Sequence, residues 1–369
     1  MKLCLIAPLP PFRGGIAKYC HSLALELEKR HELLLLSYRR QYPKILYGRK
    51  NQIDQDVDKK TILAQFNRLS YDMDSANPLS WRRTAREIGD FKPEMVIIPW
   101  WVAYWTPLYL YLLLSLKRRG IKVLFLCINV YEHEGSRLKN LLTRFVLGKV
   151  HRIIVHSRQE RQEIMSFNTT ATVRTELLPL FEYDVLPTEK VDSRLHLLFF
   201  GFVRSYKGLD TLLRALALLK DCDILLKVAG EFWCDKNEYL DLIRELDLSA
   251  IVELVDGYVS PGEMGRQFAW ADLVILPYKK SITSGVLATA YGFGKPVLAT
   301  DVGGFCELLL DGCTGKLVPP DNPRALADGV RWFLENRDLD FAGNISAFTR
   351  EKMSWSSLVN TIEEFVRET

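Results

Sequence analysis

Short apolar runs alternate with helix-period segments along nearly all of this chain, and no other feature of the sequence constrains the fold as much. The run KLCLIAP is followed by Ile16, Tyr19, Cys20, Leu23 and Leu27 at helical spacing and then by ELLLLS, a strand, helix, strand unit. The pattern resumes with EMVIIP, a helix from Thr106 to Arg119, IKVLFLC, a helix near Arg137 to Leu147 stopped by Gly148, and RIIVHS. A second series runs LHLLFFG, a helix on Leu209, Leu212, Leu213, Leu216 and Leu219, ILLKVAG, a helix at Tyr239 to Leu248, IVELVDG, a short helix from Pro261, and DLVILP. It closes with a helix around SGVLATAYGFG, the strand KPVLAT, and a helix capped by Asn322 with Pro323 in its first turn. Such alternation implies an α/β architecture of parallel sheets with helices on both faces. Residues 39–90 interrupt it. They are polar, charged and poorly periodic, and read as a long irregular insertion.

A length of 369 residues favours two domains over one. The polar segment LPTEKVDSR at 186–194 precedes a fresh strand and marks the boundary. The expected division is 1–187, 188–345, and a helical segment 346–369 that returns to the first domain. Two doubly wound domains in tandem would set their ligand crevices face to face. With 48% hydrophobic and 25% charged residues, disorder, collagen and low-complexity arrays are excluded. The seven cysteines include no CxxC pair, and most lie in apolar runs where a free thiol packs as a small hydrophobe, which fits a reducing cytosol. The six histidines form no HExxH or Cys/His cluster, so no structural metal is expected. The net charge of +4 conceals an asymmetry. Residues 1–190 carry 30 Lys/Arg against 19 Asp/Glu, and residues 191–369 carry 19 against 26. The basic half suits an anionic membrane, nucleic acid or an anionic substrate, and charge alone does not choose among them.

The segment Pro99 to Leu116 is 18 residues without a charge, followed by Lys117, Arg118 and Arg119. Pro99 and Pro107 divide it into a buried strand, MVIIPW, and a helix of about four turns, which argues against a membrane span. The cluster Trp100, Trp101, Tyr104 and Trp105 beside that basic helix end suits either the headgroup layer or a protein core. The amino terminus has one lysine and only five apolar residues before LPPFRGG, too little for a signal peptide. The expectation is a cytoplasmic protein, with peripheral contact at the inner face of the plasma membrane left open.

Three glycine-bearing turns follow predicted strands and open helices, an arrangement that aims backbone N–H groups at an anion. The first is PPFRGGIAKY, with Gly14 and Gly15; it is not GxGxxG. The second is FFGFVRSYKGLD, which places Arg204 and Lys207 between a strand end and the helix start at Gly208, a cation pair suited to a diphosphate. The third is YKKSITSGVLATAYGFGKPVLATDVGG, where Ser284, Gly285 and Val286 open a helix and Gly303 and Gly304 follow the next strand. Each alone reads as readily as a tight turn; their order along one chain is informative.

In that order, and with AGEFW, ADLVILPY and GKLVPPDNP as further landmarks, the chain resembles the family-4 glycosyltransferases of the GT-B fold over nearly its whole length. The resemblance implies two Rossmann-like domains facing across a cleft. It also implies transfer of a sugar from a nucleotide diphosphate donor with retention of configuration, and no required metal or tightly bound cofactor. By that similarity Arg204 and Lys207 neutralise the leaving diphosphate. The donor side would comprise Gly14, Gly15, Gly201, Gly230, Tyr258, Ser281, Ser284, Gly285, Val286, Thr289 and Glu307. A UDP-sugar is favoured over a GDP-sugar as a family expectation, and the acceptor would be a polysaccharide, glycolipid or lipid-linked glycan.

Two departures qualify the resemblance. Most members carry a Glu-x7-Glu pair, and aligning GFGKP places Ser281 and Thr289 at those positions. A branch reading SGV-x-A-x-A-Y-x-F-G-K-P also lacks the pair, and this chain resembles it. Relatives often have His where Ile128 stands, which leaves Asn129 and His133 as candidates for the acceptor or sugar side. Two rival functions share the architecture: a catalytically inactive partner or scaffold, and a sugar-nucleotide epimerase. Asp54, Asp56 and Asp58 mimic a calcium loop but lack its glycine and distal Glu, and are expected to be solvated. The basic run Arg39, Arg40, Lys44, Arg49 and Lys50 comes without an RNP or helix-turn-helix signature, so no nucleic-acid partner is expected.

Overall fold

The protein is described by a computed structural model covering residues 1–43, 52–55, 57–131, 136–181, 192–280 and 285–368. It divides into two units, Met1–Glu176 with Trp355–Thr369, and Leu177–Ser354. In the first, β1 (Lys2–Ile6), β2 (Glu32–Arg40), β3 (Leu69–Asp74), β4 (Met95–Trp100), β5 (Lys122–Cys127), β6 (Arg152–Val155) and β7 (Thr172–Thr175) form a parallel sheet in the order β3-β2-β1-β4-β5-β6-β7. Every residue of β4 is buried, as an apolar run covered on both faces must be. The crossovers are α1 (Gly15–Glu28), α2 (Lys59–Leu63), α3 (Pro78–Phe91), α4 (Thr106–Lys117), α5 (Arg137–Leu147) and α6 (Arg158–Phe167).

The described part of the segment expected to be irregular holds three of these elements. β3 was hidden because LSYDMD mixes Asp72 and Asp74 into a strand whose partner is β2 alone. Asn77 caps α3 by accepting from the Leu79 N–H at 3.0 Å, with Pro78 in the first turn. Asp58 caps α2 in the same way, through Lys60 N–H at 2.9 Å. Asp54 departs from the solvated expectation: it is buried, and its N–H donates to the Pro11 carbonyl at 2.7 Å. Asp56 lies outside the described residues, as do Lys44, Arg49 and Lys50.

The aromatic cluster is core. Trp100, Trp101 and Trp105 are all buried. Trp105 stacks on Tyr109 at 5.8 Å, Trp100 Nε1 donates to the Val130 carbonyl at 3.2 Å, and Trp101 Nε1 donates to Tyr42 Oη at 3.0 Å. Rings committed to these partners are not available to a headgroup layer. Of the cysteines, only Cys4, Cys20 and Cys127 are buried; Cys306 and Cys313 are exposed and Cys222 and Cys234 half-buried, because they fall in turns and helix ends rather than in strands.

In the second unit, β8 (Leu195–Phe200), β9 (Ile224–Gly230), β10 (Val252–Asp256), β11 (Leu273–Leu276), β12 (Val297–Thr300) and β13 (Gly315–Val318) form a parallel sheet ordered β10-β9-β8-β11-β12-β13. Its helices are α7 (Leu209–Leu216), α8 (Lys236–Glu245), α9 (Pro261–Trp270), α10 (Gly285–Gly292), α11 (Phe305–Leu308), α12 (Pro323–Glu335) and α13 (Phe341–Lys352). Asn322 caps α12 through the Ala325 N–H at 3.1 Å. The sequence placed divisions at 187/188 and 345/346, whereas the units divide at 176/177 and 354/355. Residue 346 falls within α13, whose Phe348 ring lies 6.3 Å from Tyr291 of α10. The last helix, α14 (Trp355–Arg367), belongs to the first unit. There Trp355 lies 5.2 Å from the Tyr19 ring, and Arg30 donates to Asn360 and Ser356 at 2.8 and 2.6 Å.

Where α1, β6, β7 and α14 meet, the buried His156 joins them. Its Nδ1 is 2.7 Å from the Glu176 carbonyl, which can only accept, so Nδ1 carries the proton and Nε2 accepts from Tyr19 Oη at 3.0 Å. The Glu176 carboxylate in turn accepts from Ser357 and Thr361 of α14. Burial pushes the His156 imidazole down to about 4, against the opposing pull of the Glu176 carbonyl. Between the ordinary histidine value and about 4, the unfolded chain therefore holds a proton that the folded chain does not, and stability falls as pH falls. The shift corresponds to about 3 kcal/mol. Urea unfolding of the wild type and His156→Gln should show a stability difference that shrinks by about this amount from pH 7 to pH 4. A difference independent of pH would show that His156 is not the titrating group.

Candidate functional site

The carboxyl ends of the second unit's strands bring several of the singled-out residues together. β8 ends at Phe200, and the chain then turns through Gly201 to a 3-10 turn, Ser205–Lys207, that leads into α7. Gly208 enters α7 with φ +69, and a Cβ there would sit 1.9 Å from the Pro277 carbonyl oxygen. Only glycine allows that approach of the turn to the end of β11. The same contact is bonded, since Lys279 N–H donates to the Tyr206 carbonyl at 2.8 Å. Gly230, at the end of β9, has its Cβ position 2.0 Å from the Gly201 carbonyl oxygen, so these two backbones also meet without room for a side chain.

Lys207 folds back over this floor. Its Nζ lies 3.4 Å from the Cβ position of Gly201, and Val286 Cγ2 lies 3.6 Å from the same point. The ammonium is also 5.4 Å from the Tyr278 ring. Lys207 thus stands beside the first turn of α10, where Gly285 is exposed with nothing within 4 Å of its Cβ position. Lys207 is only 8% exposed. Burial pushes its ammonium down to about 7, with the charge of Arg204 acting in the same direction. Arg204 is half-buried, with its guanidinium stacked 4.6 Å from the Trp233 ring. Trp233 is the last residue of AGEFW, and its backbone is fixed by Trp233 N–H to Val203 carbonyl and Val203 N–H to Glu231 carbonyl bonds, each 2.9 Å. That landmark therefore provides a platform for Arg204.

Other candidates in this unit stand farther along the strand ends. Thr289 is buried within α10, and its Oγ1 donates to the Gly285 carbonyl at 2.8 Å, a bond along its own helix. Tyr258 follows β10 and is half-buried; Glu307 is in α11 and half-buried. Ser281 and Ser284 lie outside the described residues. Among the described residues no group of three or more His, Cys, Asp or Glu side chains is placed to hold a metal ion.

In the first unit, Gly14 is the N-cap of α1, and neither Gly14 nor Gly15 has an atom within 4 Å of its Cβ position. One turn on, burial pushes the Lys18 ammonium down to about 7. Ile128 is buried past the end of β5, with its N–H donating to the Trp100 carbonyl at 2.8 Å, and Asn129 beside it is half-buried. His133 lies outside the described residues.

Glu160 escaped the reading of the sequence. It is buried, its Oε1 accepts from Val130 N–H at 3.1 Å, and its Oε2 accepts from His156 N–H at 3.2 Å. It thereby ties the loop carrying Asn129 to the loop after β6. Burial pushes its carboxyl up to about 8, against the pull of those two N–H groups. Its signal is the spacing Ser157-x-x-Glu160 at the start of α6, a capping-box pattern in which Ser157 Oγ accepts from the Glu160 N–H at 3.2 Å.

The sequence matches two family descriptions in succession: Glycosyltransferase Family 4 over residues 13–179 and Glycosyl transferases group 1 over residues 194–336. Among curated proteins it is 26% identical to a D-inositol 3-phosphate glycosyltransferase of Pseudarthrobacter chlorophenolicus, over 64% of this chain and 60% of that one. It is 30% identical to the lipopolysaccharide 1,2-N-acetylglucosaminetransferase of Salmonella typhimurium, over 46% of this chain and 47% of that one. The chain thus spans about half the length of these relatives. Among solved structures, Anabaena Alr3699/HepE in complex with UDP matches with a TM-score of 0.75 at 15% identity, covering 100% of both chains. Sucrose-phosphate synthase from Thermosynechococcus elongatus matches with a TM-score of 0.74 at 16% identity, covering 100% of this chain and 98% of that one. The two family matches leave only the ends and a short linker uncovered, and both sheets are of the GT-B kind: this chain belongs to the family-4 glycosyltransferases of the GT-B fold.

Proposed function

We propose that the protein is a retaining glycosyltransferase. It would move a sugar from a nucleotide diphosphate donor, UDP-linked in preference to GDP-linked, to a polysaccharide, glycolipid or lipid-linked acceptor at the cytoplasmic membrane face. The observation that carries this reading is the buried Lys207 beside the first turn of α10, where Gly285 is exposed, with Arg204 three residues away on its Trp233 platform. A helix N-terminus, a guanidinium and a desolvated ammonium together favour a compact dianion. Support for the donor comes from the Anabaena relative, whose structure holds UDP, and support for a glycan acceptor comes from the Salmonella transferase.

In this reading the diphosphate occupies the strand ends of the second unit, over Gly201 and Gly230. As the bond from sugar to diphosphate breaks, negative charge grows on the departing phosphate oxygen, and Arg204 and Lys207 stabilise that charge more than they stabilise the intact donor. Tyr258, Ser281, Ser284, Thr289 and Glu307 would hold the remainder of the donor. Thr289 presents no acid to a ribose, so in this branch those contacts are made elsewhere. Gly14 and Gly15 admit close approach in the first unit, and Asn129 and His133 serve the acceptor or sugar side. Glu160 acts there as a positioning residue, through Val130.

Two predictions follow from Arg204 and Lys207. Arg204→Ala and Lys207→Met should each lower turnover roughly 100- to 1000-fold, the loss seen on removing a donor to developing charge. Near-wild-type turnover in both variants would remove them from the reaction. The second concerns protons. Since Lys207 is about half neutral near pH 7 and a bound diphosphate favours its ammonium, binding UDP above pH 7 should take up close to one proton. Calorimetric titration at pH 8 in buffers of different ionisation enthalpy measures this directly. Affinity should fall with rising pH above about 7, by up to tenfold per unit, and Lys207→Met should abolish the uptake. Binding with no proton exchange in the wild type would show that Lys207 does not meet the diphosphate.

A further inference from the structure

α5 carries an apolar stripe on its solvent side. Leu138, Leu141 and Phe145 are 66%, 63% and 52% exposed, and their spacing of three and four residues places them on one side of the helix. Thr143, Val146 and Leu147 on the other side are buried against the unit. Single exposed leucines are ordinary on protein surfaces, but three large apolar side chains in register on an eleven-residue helix form a patch that needs an occupant.

The charged residues of the helix itself are all of one sign. The helix and the turn after it read RLKNLLTRFVLGK, with Arg137, Lys139, Arg144 and Lys149 and no acid. Lys149 Nζ lies 4.7 Å over the Phe145 ring, so the cation borders the stripe itself. α4, which packs against α5, adds exposed Lys117, Arg118 and Arg119 at its end and an exposed Leu114. The acid that acts on Arg144 is Glu163 of α6, which is half-buried and is bonded to Gln159. A second copy of this helix would bring like charges together. A surface with an apolar boundary beneath a layer of anions satisfies both halves of the pattern.

We infer that α5 lies in the interface of an anionic phospholipid bilayer, with Leu138, Leu141 and Phe145 at the acyl boundary and Arg137, Arg144 and Lys149 among the phosphates. This deepens the reading that the acceptor is met at a membrane and rests on it. It also moves the contact away from Trp100, Trp101 and Trp105, which the core retains. The helix and Asn129 both follow the carboxyl end of β5 in the chain, so an acceptor anchored in that bilayer would emerge near the residues assigned to the acceptor side.

The test is co-flotation of the full chain with vesicles of phosphatidylcholine alone and of phosphatidylcholine with phosphatidylglycerol. Wild type should float with the anionic vesicles at 0.1 M salt, weakly at 1 M, and not with neutral ones, because the Debye length falls from about 10 to 3 Å over that range. The double variant Leu141→Glu/Phe145→Glu should lower partitioning at least tenfold. Each of Arg137→Gln and Lys149→Gln should lower it about fivefold. All of these positions are exposed, so circular dichroism and UDP binding should match the wild type. UDP binding also separates the two ideas: its loss in the wild type would undo the proposed function, whereas flotation tests α5 alone. Absence of wild type from every vesicle fraction would overturn the inference, as would unchanged flotation of the double variant. So would self-association in solution that Leu141→Glu abolishes without any vesicle binding, since the stripe would then belong to a second copy.

Discussion

A parallel sheet covered by helices on both faces leaves only its strand ends open to a ligand, and in this protein the rest follows from that restriction. Both sheets are parallel throughout their pairings. In the second unit three strand ends converge on one small volume. β8 gives way to Gly201, β9 finishes on Gly230 against the Gly201 carbonyl, and the chain leaving β11 is bonded through Lys279 to the turn that carries Lys207. The glycines reflect backbones brought together more closely than a Cβ allows. With side chains excluded from the floor, the cations have to reach in from the turn, and they do so in two ways.

Those two ways differ physically. Arg204 lies with its guanidinium 4.6 Å from the Trp233 ring, an aromatic face that attracts a cation without neutralising it. Lys207 is desolvated and, with Arg204 nearby, holds its proton weakly. Two fully charged cations on one short turn would repel each other. Letting one of them become half neutral relieves the repulsion, and under the proposed function a bound diphosphate would restore the charge. Under the proposed function, the burial that weakens the hold of Lys207 on its proton would also make its charge respond to a bound diphosphate.

The alternation of apolar runs and helical periods was sufficient to read β1, β2, β4, β5 and β6 of the first sheet and β8 to β12 of the second, with the helices between most of them, because these are local patterns: Gly148 stopping α5, Asn322 capping α12, and the glycine before α7. What escaped depends on partners distant in sequence. LSYDMD becomes β3 only beside β2, and Asp54 is buried only because its loop lies against Pro11. Glu160 shows the same limit from the other side. Its spacing from Ser157 marks a helix start, but nothing local reveals that its free oxygen holds Val130. α14 returns to the first unit through Trp355 and Arg30, a contact with no local signature.

Composition also fails to say which side of an element faces water. The segment with the most aromatic and apolar character, Trp100 to Leu116, supplies the centre of the first unit, whereas α5, polar enough to pass as an ordinary crossover, leaves three large apolar side chains outside. Hydrophobic burial explains the difference. The aromatic rings find Tyr38, Tyr109 and Phe125 on neighbouring elements, and once those are placed, the sheet face that α5 covers takes only its narrow row of Thr143, Val146 and Leu147. The remaining apolar positions of α5 are therefore not required by the fold. Their setting among cations, in the half of the chain with the surplus of positive charge, is the part of the sequence that folding alone leaves unexplained.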